Sequence, residues 1–292
     1  MRKIFVIAIL IASGFGCHAQ QHELGVFGGA SYYVGDLNPQ WHFLQSQPAF
    51  GILYRYNINS RMAIRLHGMF GSLEAADSVT KSNEDRNLSF QSPLMEIGTQ
   101  FELSYKKFQI GSDKYNFTPY LFIGAAFYKF KPQGLYNGDW YNLQALGTEG
   151  QGTTAYPNRK TYSLAGFSIP FGMGLKFGIG GSTVLGFEWG LRKTFTDYLD
   201  DVSTTYADPA VLASQNTAAS AALADPSKGE SIEKTGYQRG NPNNNDWYSF
   251  AGFTITFKIK DKSDHCPGAT RRRDNFIRQH LKILKSQPPA SF

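Results

Sequence analysis

Eight times along the chain, apolar residues alternate with small or polar ones over about ten or more positions. This period of two belongs to a β-strand with two unlike faces. In the second segment Phe50, Ile52, Tyr54, Tyr56 and Ile58 fall on one face, and Ala49, Gly51, Leu53, Arg55 and Asn57 on the other. The third sets Met62, Ile64, Leu66 and Phe70 against Ala63, Arg65, His67 and Met69, and the fourth sets Met95, Ile97, Phe101 and Leu103 against Glu96, Gly98, Gln100 and Glu102. The sixth opposes Phe167 to Phe177 in alternate positions to Ser168, Pro170, Gly172, Gly174, Lys176 and Gly178. The seventh and eighth oppose Leu185, Phe187, Trp189 and Leu191 to Glu188 and Arg192, and Phe253, Ile255, Phe257 and Ile259 to Thr254, Thr256 and Lys258. Glycines interrupt the first (23–34) and fifth (117–130), whose faces the pattern leaves unassigned.

The connections alternate in length. Residues 59–61, 106–116 and 179–183 are short links, whereas 35–48, 72–87, 131–162 and about 197–246 are long. An even number of antiparallel strands, with short turns at one end and long loops at the other, is the plan of an eight-stranded transmembrane outer-membrane β-barrel. A soluble barrel of lipocalin type turns its apolar face inward. Here one face is almost wholly large and apolar while the other mixes glycine with charge, which favours lipid outside and a polar interior. Tyr32, Tyr33, Tyr54, Tyr56, Tyr105, Tyr115, Tyr198, Trp247 and Tyr248 gather near segment ends, as interface girdles do. The loop 202–246, rich in Ala, Ser, Thr, Asn, Gly and Pro, reads as mobile and solvated.

Composition agrees with this all-β reading. With 23 Phe, 16 Tyr, 4 Trp and 30 Gly and only 18% charged residues, the chain is neither disordered nor a coiled coil. Of the formal net charge of +6, two units come from Arg2 and Lys3 and four from residues 261–292, so the body is neutral and no nucleic-acid partner is expected. Residues 1–19 read as a signal peptide: a basic start, an apolar stretch from Ile4 to Phe15, and small residues before a cut preceding Gln20. The competing reading lipidates Cys17. Residues 20–260 would form the barrel. Removal of the leader leaves Cys266 as the sole cysteine, an exported thiol suited to an intermolecular disulfide.

The inward positions carry Arg55, Arg65, Glu96, Glu102, Lys176, Glu188, Arg192 and Lys258. An eight-stranded barrel is only just wide enough for side chains to fill it, so these charges are expected to pair across a plugged lumen rather than line a channel. His67 and Ser168 also point inward, but nothing sets one beside the other, so no catalytic, cofactor or metal constellation emerges. Asp197, Asp200 and Asp201 suit either a hard cation or turn chemistry, the latter preferred. The stretch 261–292 forms a periplasmic tail. Within it Asp274 to Lys285 places Phe276, Ile277, His280, Leu281 and Leu284 on one helical face, with Arg271, Arg272 and Arg273 before it and Arg278 elsewhere on it. A basic amphipathic helix of this kind suits a partner or anionic lipid.

Several motifs carry a resemblance. Glu23-Leu24-Gly25, Tyr33-Val34-Gly35-Asp36-Leu37, Ile169-Pro170-Phe171-Gly172, Thr196-Asp197-Tyr198-Leu199-Asp200-Asp201-Val202 and His265-Cys266-Pro267 resemble the PorG-like (DUF6089) outer-membrane proteins of Bacteroidetes. The resemblance spans roughly residues 22–267, and the chain departs from the family pattern after Pro267. It implies a non-enzymatic component of the type IX secretion and gliding machinery, a barrel that fixes a periplasmic ring of lipoprotein and soluble subunits to the membrane. Cys266, Arg271–Arg273, Phe276, Arg278 and Leu281 would then meet that partner, by disulfide in the case of Cys266. The alternative is an OmpA- or OmpX-like barrel whose loops bind a ligand or a cell surface, and a lipid-modifying enzyme is a third reading that lacks a nucleophile pair.

Overall fold

The computed structural model describes residues 21–227 and 233–259. Eight long strands form the barrel: β1 (Gln21–Val34), β2 (Gln47–Asn57), β3 (Met62–Ala76), β4 (Ser89–Ser104), β5 (Phe117–Phe130), β8 (Ala165–Ile179), β9 (Thr183–Thr194) and β10 (Trp247–Ile259). Each pairs with its neighbours in sequence, and β10 lies beside β1, so the ring closes without a free edge. Closure satisfies the backbone along each strand, the condition for standing in hydrocarbon. Outward residues form an apolar belt: Phe50, Ile97, Phe167 and Phe253 are each about two-thirds exposed, at 65%, 66%, 68% and 68%. Water would not tolerate such a belt, whereas a bilayer requires it. This is the architecture of an outer-membrane-type transmembrane barrel. Among the described residues no helix is long and apolar enough to cross a membrane.

The alternation assigns the faces of β2, β3, β4, β8, β9 and β10 correctly, as Arg55, Arg65, Glu96, Lys176, Glu188 and Arg192 are all buried inside. The two strands left unassigned resolve as well. β1 turns Glu23, Phe27, Ser31 and Tyr33 inward, and β5 turns Tyr120, Phe122 and Tyr128 inward. At Gly25 and Gly29 a Cβ would lie 2.2 Å from the carbonyl oxygens of Ile255 and Ala251, so the close seam between β1 and β10 requires the glycines that blur the pattern.

Three expectations need correction. Tyr32, Tyr33 and Tyr248 are fully buried rather than part of an exposed girdle. Tyr33 and Tyr248 point inward, and Tyr32 lies against His42, Phe43 and Trp189, which take its place at the surface. The long connection after the third segment is shorter than expected, because β3 runs on to Ala76 and pairs with Ser89. The loop 202–246 is also folded rather than mobile throughout, although stretches such as 235–238 and 241–244 stay exposed. Residues 131–162 carry a hairpin of β6 (Gln133–Tyr136) and β7 (Asp139–Asn142), and residues 202–246 carry helical turns at Pro209–Val211, Leu212–Asn216 and Ala218–Ala224. Asp208 and Thr217 cap those helices by accepting from Ala210 N and Ser220 N, and alanine is the best helix former. Leu37, Leu143, Leu199 and Val202 continue the barrel's apolar core upward into this cap.

The opposite end is closed by the β4–β5 turn. Phe108 and Ile110 pack there with Val184, and Phe108 N donates to Ser60 O at 2.7 Å.

Candidate functional site

Two buried polar assemblies stand out, one inside the barrel and one under the cap. In the lumen, Glu102 accepts from Arg55 Nε at 2.9 Å and Lys176 Nζ at 2.5 Å and faces Arg65 Nε at 3.5 Å. Arg55 also donates to Glu23 at 2.7 Å, and Arg65 pairs with Glu188 and donates to Gln100. Higher up, Glu96 accepts from Tyr248 Oη at 2.7 Å, contacts His67 Nε2 at 2.9 Å and faces Arg192 Nε at 3.4 Å.

The buried set therefore comprises four carboxylates (Glu23, Glu96, Glu102, Glu188), four basic side chains (Arg55, Arg65, Lys176, Arg192) and His67. Glu23 supplies the anion that the pattern could not place, and Lys258 is half-buried at the short-turn end. Ser168 reaches this set indirectly, since its Oγ lies 3.0 Å from Tyr248 Oη, which separates it from Glu96 and His67. A serine held by a tyrosine, itself bound to a carboxylate, is tethered rather than activated, and Ser168 is only 2% exposed.

The second assembly gathers residues from all four long loops and the end of β1. Tyr33 Oη lies 2.6 Å from Asp200 Oδ2 and 2.7 Å from Asp246 Oδ1, both buried. One hydroxyl has one proton to give, so the second short contact requires a proton on a carboxyl. Burial raises both acids; the charge of Asp36 adds to this at Asp200, and the charges of Asp200 and Asp197 add to it at Asp246. Asp246 also accepts from Leu199 N at 2.9 Å, and Asp200 from Val202 N at 2.9 Å. Gly35 is fixed by this cluster, because a Cβ there would fall 2.0 Å from Asp246 Oδ1 and 2.1 Å from Tyr33 Oη.

Asp201, whose φ of +67° suits Asp better than most residues, accepts from Tyr162 Oη at 2.7 Å and from Thr148 Oγ1. Burial pushes it up to about 6, with Arg239 opposing. Asp197 is pushed up to about 8 by burial and the charges of Asp36, Asp200 and Glu149; Ser203 lies alongside and partly offsets this, without a hydrogen bond of acceptable geometry. Glu149 accepts from Ser203 N at 2.9 Å, Thr204 Oγ1 at 2.7 Å and Arg239 Nη1 at 3.1 Å. Arg86 joins three loops through Asp77 at 2.7 Å, Arg239 O at 2.7 Å and Asp36 O at 3.0 Å.

The motif residues Gly35, Asp36, Thr196, Asp197, Tyr198, Asp200 and Asp201 thus meet in one place, although 160 residues separate the two stretches. Asp36 accepts from Asn241 N at 2.7 Å, Thr196 O accepts from Asp246 N at 2.9 Å, and Tyr198 stacks on Tyr162 with centroids 4.5 Å apart. The carboxylates of 200 and 201 serve backbone amides and hydroxyls. Only the Val202 N contact of Asp200 is local turn chemistry; the other partners reach across from Tyr33, Thr148 and Tyr162. Among the described residues no group of three or more His, Cys, Asp or Glu is arranged to hold a metal. Glu149, Arg86, Arg239 and Asp246 were not legible as members; only a lone carboxylate among glycines and threonines marked Glu149. Cys266, Arg271, Arg272, Arg273, Phe276, Arg278 and Leu281 lie outside the described residues.

These features define a class: an eight-stranded transmembrane barrel with an ion-paired interior and a folded cap knit by buried acids. The chain belongs to the family described as Domain of unknown function (DUF6089), whose profile matches residues 2–219. No curated protein sequence matches it. Similar solved structures include Ail, the attachment invasion locus protein of Yersinia pestis, at 9% identity, covering 83% of this chain and 100% of that one with a TM-score of 0.39. Neisserial surface protein A has 8% identity, 82% and 97% coverage and a TM-score of 0.42. The N-terminal barrel of Pseudomonas aeruginosa OprF has 10%, 82% and 99%, and 0.34.

Proposed function

We propose that this protein is a non-enzymatic outer-membrane anchor of the type IX secretion machinery, holding a periplasmic ring of lipoprotein and soluble subunits through its short-turn end and tail. The observation that carries the mechanical part is the filled barrel. With the lumen closed by paired ions and capped by an apolar core, the molecule has only its outer surfaces to offer partners. Membership in the DUF6089 family and the motif resemblance support the identity of the machinery. β1 begins and β10 ends on the side of the short turns, which in such barrels faces the periplasm, so a tail following β10 would be on the side of a periplasmic partner.

The test is co-purification of tagged protein from mildly solubilised envelopes. Subunits of the secretion machinery should accompany it, and Cys266→Ser should abolish any disulfide-linked species on non-reducing gels. Recovery of an intact barrel with no envelope partner would overturn the anchoring role. A second reading, a surface-binding barrel, draws on Trp41, Trp140 and Tyr237, which are 57%, 52% and 64% exposed on the loops. Alanine at all three should leave secretion intact under the anchor reading and abolish cell-surface adhesion under the second.

A further inference from the structure

The outer wall of the barrel carries a continuous groove. Its upper cleft, beside Phe101 and Ile123, shares Leu103, Leu121 and Met173 with the cleft below. That middle cleft shares Arg61 and Tyr105 with a third, of about 570 Å³, at the short-turn end. The character changes along the way: the upper two clefts are apolar, whereas the lowest is lined by Arg61, Lys106, Lys107 and Lys114. Asp113 is the one carboxylate in the same turn. Tyr105, 75% exposed, marks the junction, where an aromatic ring sits at headgroup level.

The basic end is held in place. Phe108 and Ile110 bury the turn between Lys107 and Lys114, while Lys106 and Lys114 lie over the rings of Phe117 and Tyr115 at 5.8 and 5.6 Å. With their ammonium groups resting over these rings, both lysines are held at the surface, exposed toward the headgroup layer.

We propose that this groove binds one anionic phospholipid of the periplasmic leaflet, its acyl chains along Leu121 and Met173 and its phosphate between Arg61 and the lysines. The apolar part lies within the bilayer, beyond the reach of a soluble acidic partner, and the basic part matches the phosphate in sign. A diacyl phospholipid joins both chemistries in one molecule. The inference rests on the membrane placement of the barrel and is independent of the anchoring role.

Native mass spectrometry of the full-length protein in detergent, with equal phosphatidylglycerol and phosphatidylcholine added, tests it. One phosphatidylglycerol should be retained in preference, and each of Arg61→Gln, Lys106→Gln and Lys114→Gln should weaken retention about fivefold. These side chains serve no interior contact, and heat-modifiable gel migration verifies that the variants remain folded. Lys129→Gln/Lys193→Gln, exposed toward the loop end, should retain lipid as wild type does. Leu121→Trp, which fills the apolar cleft, should weaken it. Equal retention of the two lipids, full displacement by inorganic phosphate, or displacement by a soluble polyglutamate peptide would each overturn the proposal.

Discussion

Glu102 holds Arg55, Arg65 and Lys176 around a single carboxylate with no exposure to water. Glu102→Gln removes the charge and keeps the shape, so three cations would face one neutral amide. Breaking one side of a buried pair costs about 3–5 kcal/mol, and the temperature at which the unboiled barrel loses its compact gel migration should drop sharply. An unchanged temperature would show that the pairs contribute no stability. Gly35→Ala makes a separate demand: its methyl would occupy the space of Asp246 Oδ1 and Tyr33 Oη, so the cap should loosen while the barrel below keeps its heat-modifiable migration. The inward placement of Arg55 and Arg65 could be read from alternation alone, because their strands carry an unbroken period of two. Glu23 could not, since Gly25 and Gly29 are shaped by the seam with β10 and erase the period around it. Asp246 was hidden for another reason: it follows a run of asparagines, and nothing local reveals a partner 213 residues away at Tyr33.

The cap responds to pH through acids whose titration is displaced upward. Free aspartate titrates near ~3.9, whereas Asp201 is raised to about 6 and Asp197 to about 8, and Asp200 and Asp246 are raised by burial. Between the free and folded values the folded cap binds more protons than the opened one, so its stability falls as pH rises from about 4 through 8. Limited proteolysis of loop 202–246 in reconstituted protein should therefore speed up between pH 6 and pH 9, and cleavage that slows or stays constant would contradict the arrangement. Tyr33→Phe should raise cleavage at every pH, because it strips two buried carboxyls of their shared hydroxyl. The strands were legible and the cap was not, for a physical reason. Lipid and lumen impose opposite demands on alternate residues, which writes each strand into local sequence. The cap is held by Arg86, Arg239 and Glu149 reaching across loops, and its alanine-rich helices look like solvated linker when only composition is weighed.

Closure along the barrel axis comes in three layers: Phe108, Ile110 and Val184 at the short-turn end, the ion pairs from Glu23 to Arg192 above them, and the apolar core rising through Phe90 and Leu94 into Leu199 and Val202. Two apolar layers flank one ionic layer, and each is built from different residues, so loss of one leaves the others in place. Planar-bilayer recordings of purified protein should show no steady conductance, and Phe108→Ala/Ile110→Ala, which opens only the lowest layer, should remain closed. A large, persistent conductance in either protein would return the lumen to the list of working surfaces. With the lumen filled, three outward regions of the described residues are left to act: the lipid-facing wall, the exposed loop tips and the basic short-turn end. Two of these, the wall and the basic end, meet in a single groove. The same contacts that fill the lumen also back that groove, since Tyr120 and Lys176 pack behind the wall that carries Leu121 and Met173. Glu102→Gln should therefore weaken phosphatidylglycerol retention from inside the barrel at temperatures below its unfolding, although residue 102 never touches lipid; retention equal to wild type would separate the wall from the ion pairs behind it.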